Sequence, residues 1–156
     1  MGAALAAGLM AAAPALAADY SVIHLDTTVD KPIDAVWAKV GGYCQIQDWL
    51  KRLAPCVQTG DGGVGTIRKL GAQGIIEVLV AATKYSYTYA QPNNAILYHG
   101  TLSAEAIDKT HTKLMYTLIY DQEPDGAQEA KDKDRAGRTT NFTTALASMK
   151  ALAEGK

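Results

Sequence analysis

From Cys56 to Tyr120 the chain is a succession of short strand-like segments cut by glycine- and asparagine-rich turns, and only one long helical stretch follows. Nothing else in the sequence restricts the fold as much. Val57–Thr59 leads into Gly60-Asp61-Gly62-Gly63, Val64–Leu70 into Gly71-Ala72-Gln73-Gly74, and Ile75–Ala82 into Tyr85–Ala90, which Gln91-Pro92-Asn93-Asn94 breaks. Ile96–Ile107 and Thr112–Tyr120 supply two more strands. Strands joined by turns this short form an antiparallel meander with one face to bury. A polar stretch from near Pro124 passes into a last helix, where Phe142, Leu146, Met149 and Leu152 or Ala153 keep helical spacing. That helix is the only long element free to cover the sheet. Ahead of the meander, Tyr20–Thr28 reads as a first strand. Asp30-Lys31-Pro32 opens a helix whose apolar stripe is Ile33, Val36, Trp37 and Val40, ended by Gly41-Gly42, and a second short helix fits Tyr43–Leu50. The expected class is α+β.

Residues 1–18 stand apart from this pattern. They carry no charged side chain, are mostly Ala, Leu, Gly and Met, and end in Pro14-Ala15-Leu16-Ala17-Ala18. Small residues at alternate positions there fit a signal-peptide cleavage site after Ala17 or Ala18, although no Lys or Arg follows Met1. A membrane anchor or a buried helix are the other readings, and Ala and Gly offer little to either. Residues 19–156 then form one domain, in a periplasmic or secreted setting. A formal charge of −1 without a Lys/Arg cluster argues against nucleic acid or anionic membrane as the partner. The oligomeric state is open, with a monomer the simplest expectation. Cys44 and Cys56 are the only cysteines. They are either two buried thiols or, in an oxidising compartment, a disulfide closing a loop of about 12 residues and contributing about 3 kcal/mol.

Several residues invite a chemical reading. Gly60-x-Gly62-x-x-Gly65 has the letters of a dinucleotide fingerprint, but strand-like residues follow where a helix N-terminus would be needed, so it reads as a hairpin turn. If Ala72-Gln73 is a hairpin tip, Arg68 opposes Glu77 on one face, either as a solvated ion pair or as an inward one. Leu70 and Leu79 share their parity and favour the inside; Ile67, Ile76 and Val78 on the other face are equally apolar. Tyr85, Tyr87 and Tyr89 alternate along one strand and present one aromatic face. Leu114, Tyr116, Leu118 and Tyr120 share another face. These rings either fill a core or edge a cavity. His24, His99 and His111 lie on or beside separate strands in no ligand spacing, so neither a metal nor a cofactor is expected.

In order and spacing, PIDAVWAKV, DWL, VGTIRKL, IIEVLVAATKYSYTY, YHGTL and KLMYTLIYDQ resemble the START-like superfamily (SRPBCC, or Bet v 1-like), in its polyketide cyclase/dehydrase and lipid-transport branch. The resemblance spans roughly residues 20–156. It implies a helix-grip fold, a seven-stranded antiparallel sheet curled around a long C-terminal helix, with two short helices after the first strand and a cavity between sheet and helix. It also implies that Trp49, Arg68, Leu70, Glu77, Leu79, Tyr85, Tyr87, Tyr89, Tyr98, Tyr116, Tyr120, Phe142 and Thr143 touch a small hydrophobic or amphipathic ligand. Two departures stand out: Leu50-Lys51 follows Trp49 where relatives carry His-Pro, and residues 125–141, which help roof the cavity in relatives, are unusually polar. The expected function is a periplasmic carrier. The alternative is a cyclase/dehydratase with Glu77 as general acid/base, a role that a tight Arg68–Glu77 pair would oppose.

Overall fold

The computed structural model describes residues 19–156, and the leader expected over residues 1–18 lies outside the described residues. Strand β1 (Tyr20–Val29) precedes helices α1 (Ile33–Val40) and α2 (Ile46–Trp49) and a 3-10 turn at Lys51–Leu53. The meander follows as β2 (Cys56–Thr59), β3 (Ile67–Leu70), β4 (Ile75–Thr83), β5 (Ser86–Ala90), β6 (His99–Ala106) and β7 (Thr112–Asp121), and helix α3 (Gln128–Glu154) ends the chain. All strands form one antiparallel sheet in the order β1-β7-β6-β5-β4-β3-β2. This is the helix-grip α+β architecture, with α3 held in the curl of the sheet. No helix among the described residues is long and apolar enough to cross a membrane.

Local sequence accounts for the places where element ends differ from expectation. Gly60, Gly62 and Gly65 have φ of 118°, 93° and 94°, so the chain coils between β2 and β3, and β3 starts at Ile67 instead of Val64. No helix follows this glycine cluster, which is a hairpin turn. Helix α1 starts behind Pro32, whose carbonyl accepts the Val36 amide at 3.0 Å, without a side-chain cap from Asp30. Gly41 ends it in an ordinary right-handed conformation. Its need for glycine is steric: a Cβ would stand 2.3 Å from the Trp37 indole.

Curl comes from twist and from one irregularity. Between β4 and β5 the register slips at Leu79/Ala81, leaving Val80 unpaired and exposed. A bulge of this kind bends its strand and sharpens the local twist. Inward residues of the curled face, among them Leu79, Leu102, Leu114 and Leu118, meet Phe142, Ala145, Leu146 and Met149 of α3 in one buried core. The first half of α3 is different. None of residues 128–141 is buried, and that half is clipped to β1 by polar contacts instead, with Arg135 donating to the Val22 carbonyl at 2.9 Å and Lys131 paired to Asp19 at 2.6 Å. Cys44 and Cys56 are joined in a disulfide with Cα atoms 5.5 Å apart, which ties the start of α2 to β2. Beside it, the Cys56 amide donates to Gln47 Oε1 at 2.9 Å.

Candidate functional site

A cavity of about 620 Å³ lies where the two halves of α3 part company. Its walls are α2 and the following 3-10 turn (Ile46, Leu50, Leu53), the ends of β4 and β5 (Ile75, Glu77, Tyr89, Gln91), Tyr98 ahead of β6, and the underside of the first half of α3. The cavity exists because that half of the helix cannot fill it. Ala130 and Gly137 are too small, and Lys133, Asp134, Arg138 and Asn141 keep their heads near water. Phe142 closes the inner end, its ring 4.7 Å from Tyr116. The volume suits a small organic molecule.

Beneath this cavity the expected aromatic face is present, but most of it is wall backing. Tyr87, Tyr89, Tyr98, Tyr116 and Tyr120 are all buried, and ring neighbours stand 6.1 to 6.5 Å apart along Tyr87–Tyr89–Tyr98–Tyr120. Tyr89 and Tyr116 join hydroxyls at 2.9 Å. Burial pushes both hydroxyls well above the ordinary tyrosine range, so they meet as neutral groups. Gly100, opposite Tyr89 across the β5–β6 ladder, makes room for this ring: a Cβ there would stand 2.4 Å from it. Of the expected contact residues, Glu77, Tyr89, Tyr98 and Phe142 reach the cavity surface. Trp49, Leu70, Leu79, Tyr87, Tyr116 and Tyr120 are buried behind it; Trp49, for example, packs edge-on against Tyr116 at 6.2 Å.

Two expected residues lie elsewhere. Thr83 pairs with Ser86, so Lys84-Tyr85 is a two-residue turn and Tyr85 drops out of the strand alternation. Its ring sits outside, edge-on to Trp37, and its hydroxyl donates to Asp34. Thr143 is exposed and borders a separate, smaller pocket beside Leu25–Thr27, because one residue along a helix turns the side chain by about 100° from Phe142.

Arg68 and Glu77 face each other in the ladder and point inward, with Arg68 0 % and Glu77 2 % exposed. Arg68 Nε donates to Glu77 Oε2 at 2.6 Å. Its Nη2 stands 2.6 Å from the same oxygen, close enough for charge pairing but off line for a second hydrogen bond. Nη1 donates to the Tyr43 carbonyl, and the guanidinium lies 4.1 Å from the Tyr43 ring centre and 4.8 Å from that of Tyr89. Glu77 Oε1 accepts from Gln91 Nε2 at 2.9 Å. Both carboxylate oxygens are therefore engaged by the protein. Sequence reasoning missed Tyr43 and Gln91 here, and the aliphatic and charged rim of the cavity. Only the α3 side of the rim could have been placed from sequence, by stepping back from Phe142 at helical spacing through Asn141, Gly137/Arg138, Lys133/Asp134 and Ala130, since these residues carry no apolar period of their own.

A curled sheet gripping a terminal helix beside a lined cavity defines the Bet v 1-like (SRPBCC) class. The profile of the family described as polyketide cyclase / dehydrase and lipid transport matches residues 22–154, and the chain belongs to that family. No curated protein matches the sequence significantly. Among solved structures, a protein from Thermobifida fusca is similar at 18 % identity, with 85 % of this chain and 92 % of that one covered and a TM-score of 0.72. Norcoclaurine synthase from Thalictrum flavum, in complex with dopamine and hydroxybenzaldehyde, is 18 % identical over 94 % of this chain and 96 % of its own, with a TM-score of 0.66. The di-domain ARO/CYC BexL of the BE-7585A biosynthetic pathway is 17 % identical, with 88 % of this chain and 51 % of that one covered, at a TM-score of 0.66. At these identities the likeness is one of fold.

Proposed function

We propose that this protein binds a small amphipathic molecule with an aromatic or aliphatic body inside the cavity under α3, and that it acts as a carrier in an exported, periplasmic or secreted setting. The cavity itself carries this reading: about 620 Å³, with Ile46, Leu50, Leu53, Tyr89, Tyr98 and Phe142 supplying the apolar and aromatic part of its lining. The small aromatic guests in the similar norcoclaurine synthase structure are compatible with such a lining. The uncharged, Ala-rich residues 1–18 and the Cys44–Cys56 bridge both favour export. Glu77 fits a structural part better than proton transfer, since Arg68 and Gln91 already hold its two oxygens.

Native mass spectrometry of the protein purified from an exporting host tests this reading. A co-purifying small molecule, or binding from a panel of lipids and aromatic compounds, is the expected result, on a chain whose mass begins at Ala18 or Asp19. Gly137→Leu is the matched control. Gly137 lines the cavity and a Cβ there meets nothing within 4 Å, so a leucine has room at its edge, and it should weaken retention while the circular dichroism spectrum stays the same. A wild-type protein that retains nothing and binds nothing in the panel overturns the proposal.

A further inference from the structure

The cavity's charges do not balance, and the residue left over says something about its guest. Five ionic side chains line it: Glu77 and Asp134 on the acidic side, Arg52, Lys133 and Arg138 on the basic side. Both acids are spoken for. Glu77 is held by Arg68 and Gln91, and Asp134 accepts Arg138 Nε at 2.7 Å while the Arg138 guanidinium stands over the Tyr120 ring, 4.3 Å from its centre. Arg52 and Lys133 remain, and among the described residues neither has an ion-pair partner. They belong to different walls, Arg52 to the 3-10 turn after α2 and Lys133 to α3, and both are exposed. An isolated exposed cation means little on a protein surface. Two on different walls of one concavity, above an aromatic floor, are a different matter, because a cleft lined by charge of one sign focuses its field on whatever enters.

Resting on the cavity reading above, we infer that the guest is an anionic amphiphile, its apolar body against Tyr98, Phe142 and Ile46 and an acidic head such as a carboxylate between Arg52 and Lys133. The alternative polarity, an ammonium head, finds no free carboxylate in the lining.

Calorimetric titration with naphthalene-2-carboxylate and naphthalene-2-carboxamide, which share a shape and differ in charge, tests the inference. At low ionic strength the carboxylate should bind about tenfold more tightly than the amide, and the gap should shrink toward unity as salt rises to about 0.5 M. The Arg52→Gln/Lys133→Gln double variant should lower carboxylate affinity to the level of the carboxamide and leave the carboxamide within about twofold of its wild-type value. Equal binding of the two compounds by the wild-type protein overturns this inference and leaves the cavity reading standing. So does a gap that survives the double substitution or high salt. Failure of the wild-type protein to bind either compound also overturns this inference, whereas the cavity reading falls only if nothing co-purifies and nothing in the wider panel binds.

Discussion

Arg68 is a guanidinium with no solvent contact, and such a group is stable only where its charge and its donors are met. Glu77, the Tyr43 carbonyl and the faces of Tyr43 and Tyr89 meet it. Removing one partner strands the other: Arg68→Ala should cost about 3–5 kcal/mol in urea unfolding, whereas Arg68→Met with Glu77→Leu should recover most of that loss, since a buried pair contributes little beyond a well-packed apolar one. The opposition of these two residues was legible in the sequence, because Gly71 and Gly74 mark the hairpin and fix the register. Which face they occupy was not, because Ile67, Ile76 and Val78 across the sheet are equally apolar. The sheet's curl decides it, by closing α2 and Tyr43 over the inner side and leaving Ile67 39 % exposed. Tyr85 shows the same limit from the other direction. Period-two alternation predicts an inward ring only while the strand continues, and here a two-residue turn interrupts it.

At the scale of elements, α3 is two helices in one. Its second half announced itself through Phe142, Leu146 and Met149, while its first half hid, because a stripe of Lys, Asp, Gly, Arg and Asn has no apolar period to detect. That half is also the part that roofs the cavity, so the least readable segment of the chain is the one that shapes the site. The far end of α3 is anchored by charge. Glu154 accepts from Lys156 at 2.6 Å and from the Asp30 amide at 3.1 Å, with Lys150 3.5 Å away, and these donors, Lys156 foremost, hold its carboxyl at about 2 instead of the usual 4.5. The folded-state pKa is depressed, so the stabilisation is complete above about 4.5 and drains away as pH falls toward 2. Thermal unfolding followed across that acid range should show a falling midpoint in the wild-type protein. In Glu154→Gln the midpoint should start lower at neutral pH and fall less over the same range.

For the molecule as a whole, the grip is uneven, and the space that results follows from where apolar residues stop along α3. The curl of the helix grip and its cavity were implied only by the family resemblance, whereas strand count, the two short helices and a sheet covered on one face were legible because turns and periods are local signals. The cavity wall was only partly so, since it depends on which rings end up behind others: Tyr87, Tyr116 and Tyr120 share the inward face with Tyr89, yet sit in a second layer. One wall, formed by α2 and its 3-10 turn, is short enough to need fastening, and the Cys44–Cys56 bond provides it. A helix of one turn has little stability of its own. Reductant, or Cys44→Ser with Cys56→Ser, should therefore cost about 3 kcal/mol in global stability. Hydrogen exchange should quicken over residues 46–53 before it does in the second half of α3. Oxidation of the two thiols thus fixes the α2 wall of the cavity. A reduced preparation should keep the topology of the oxidised one and have a looser α2 wall beside the cavity.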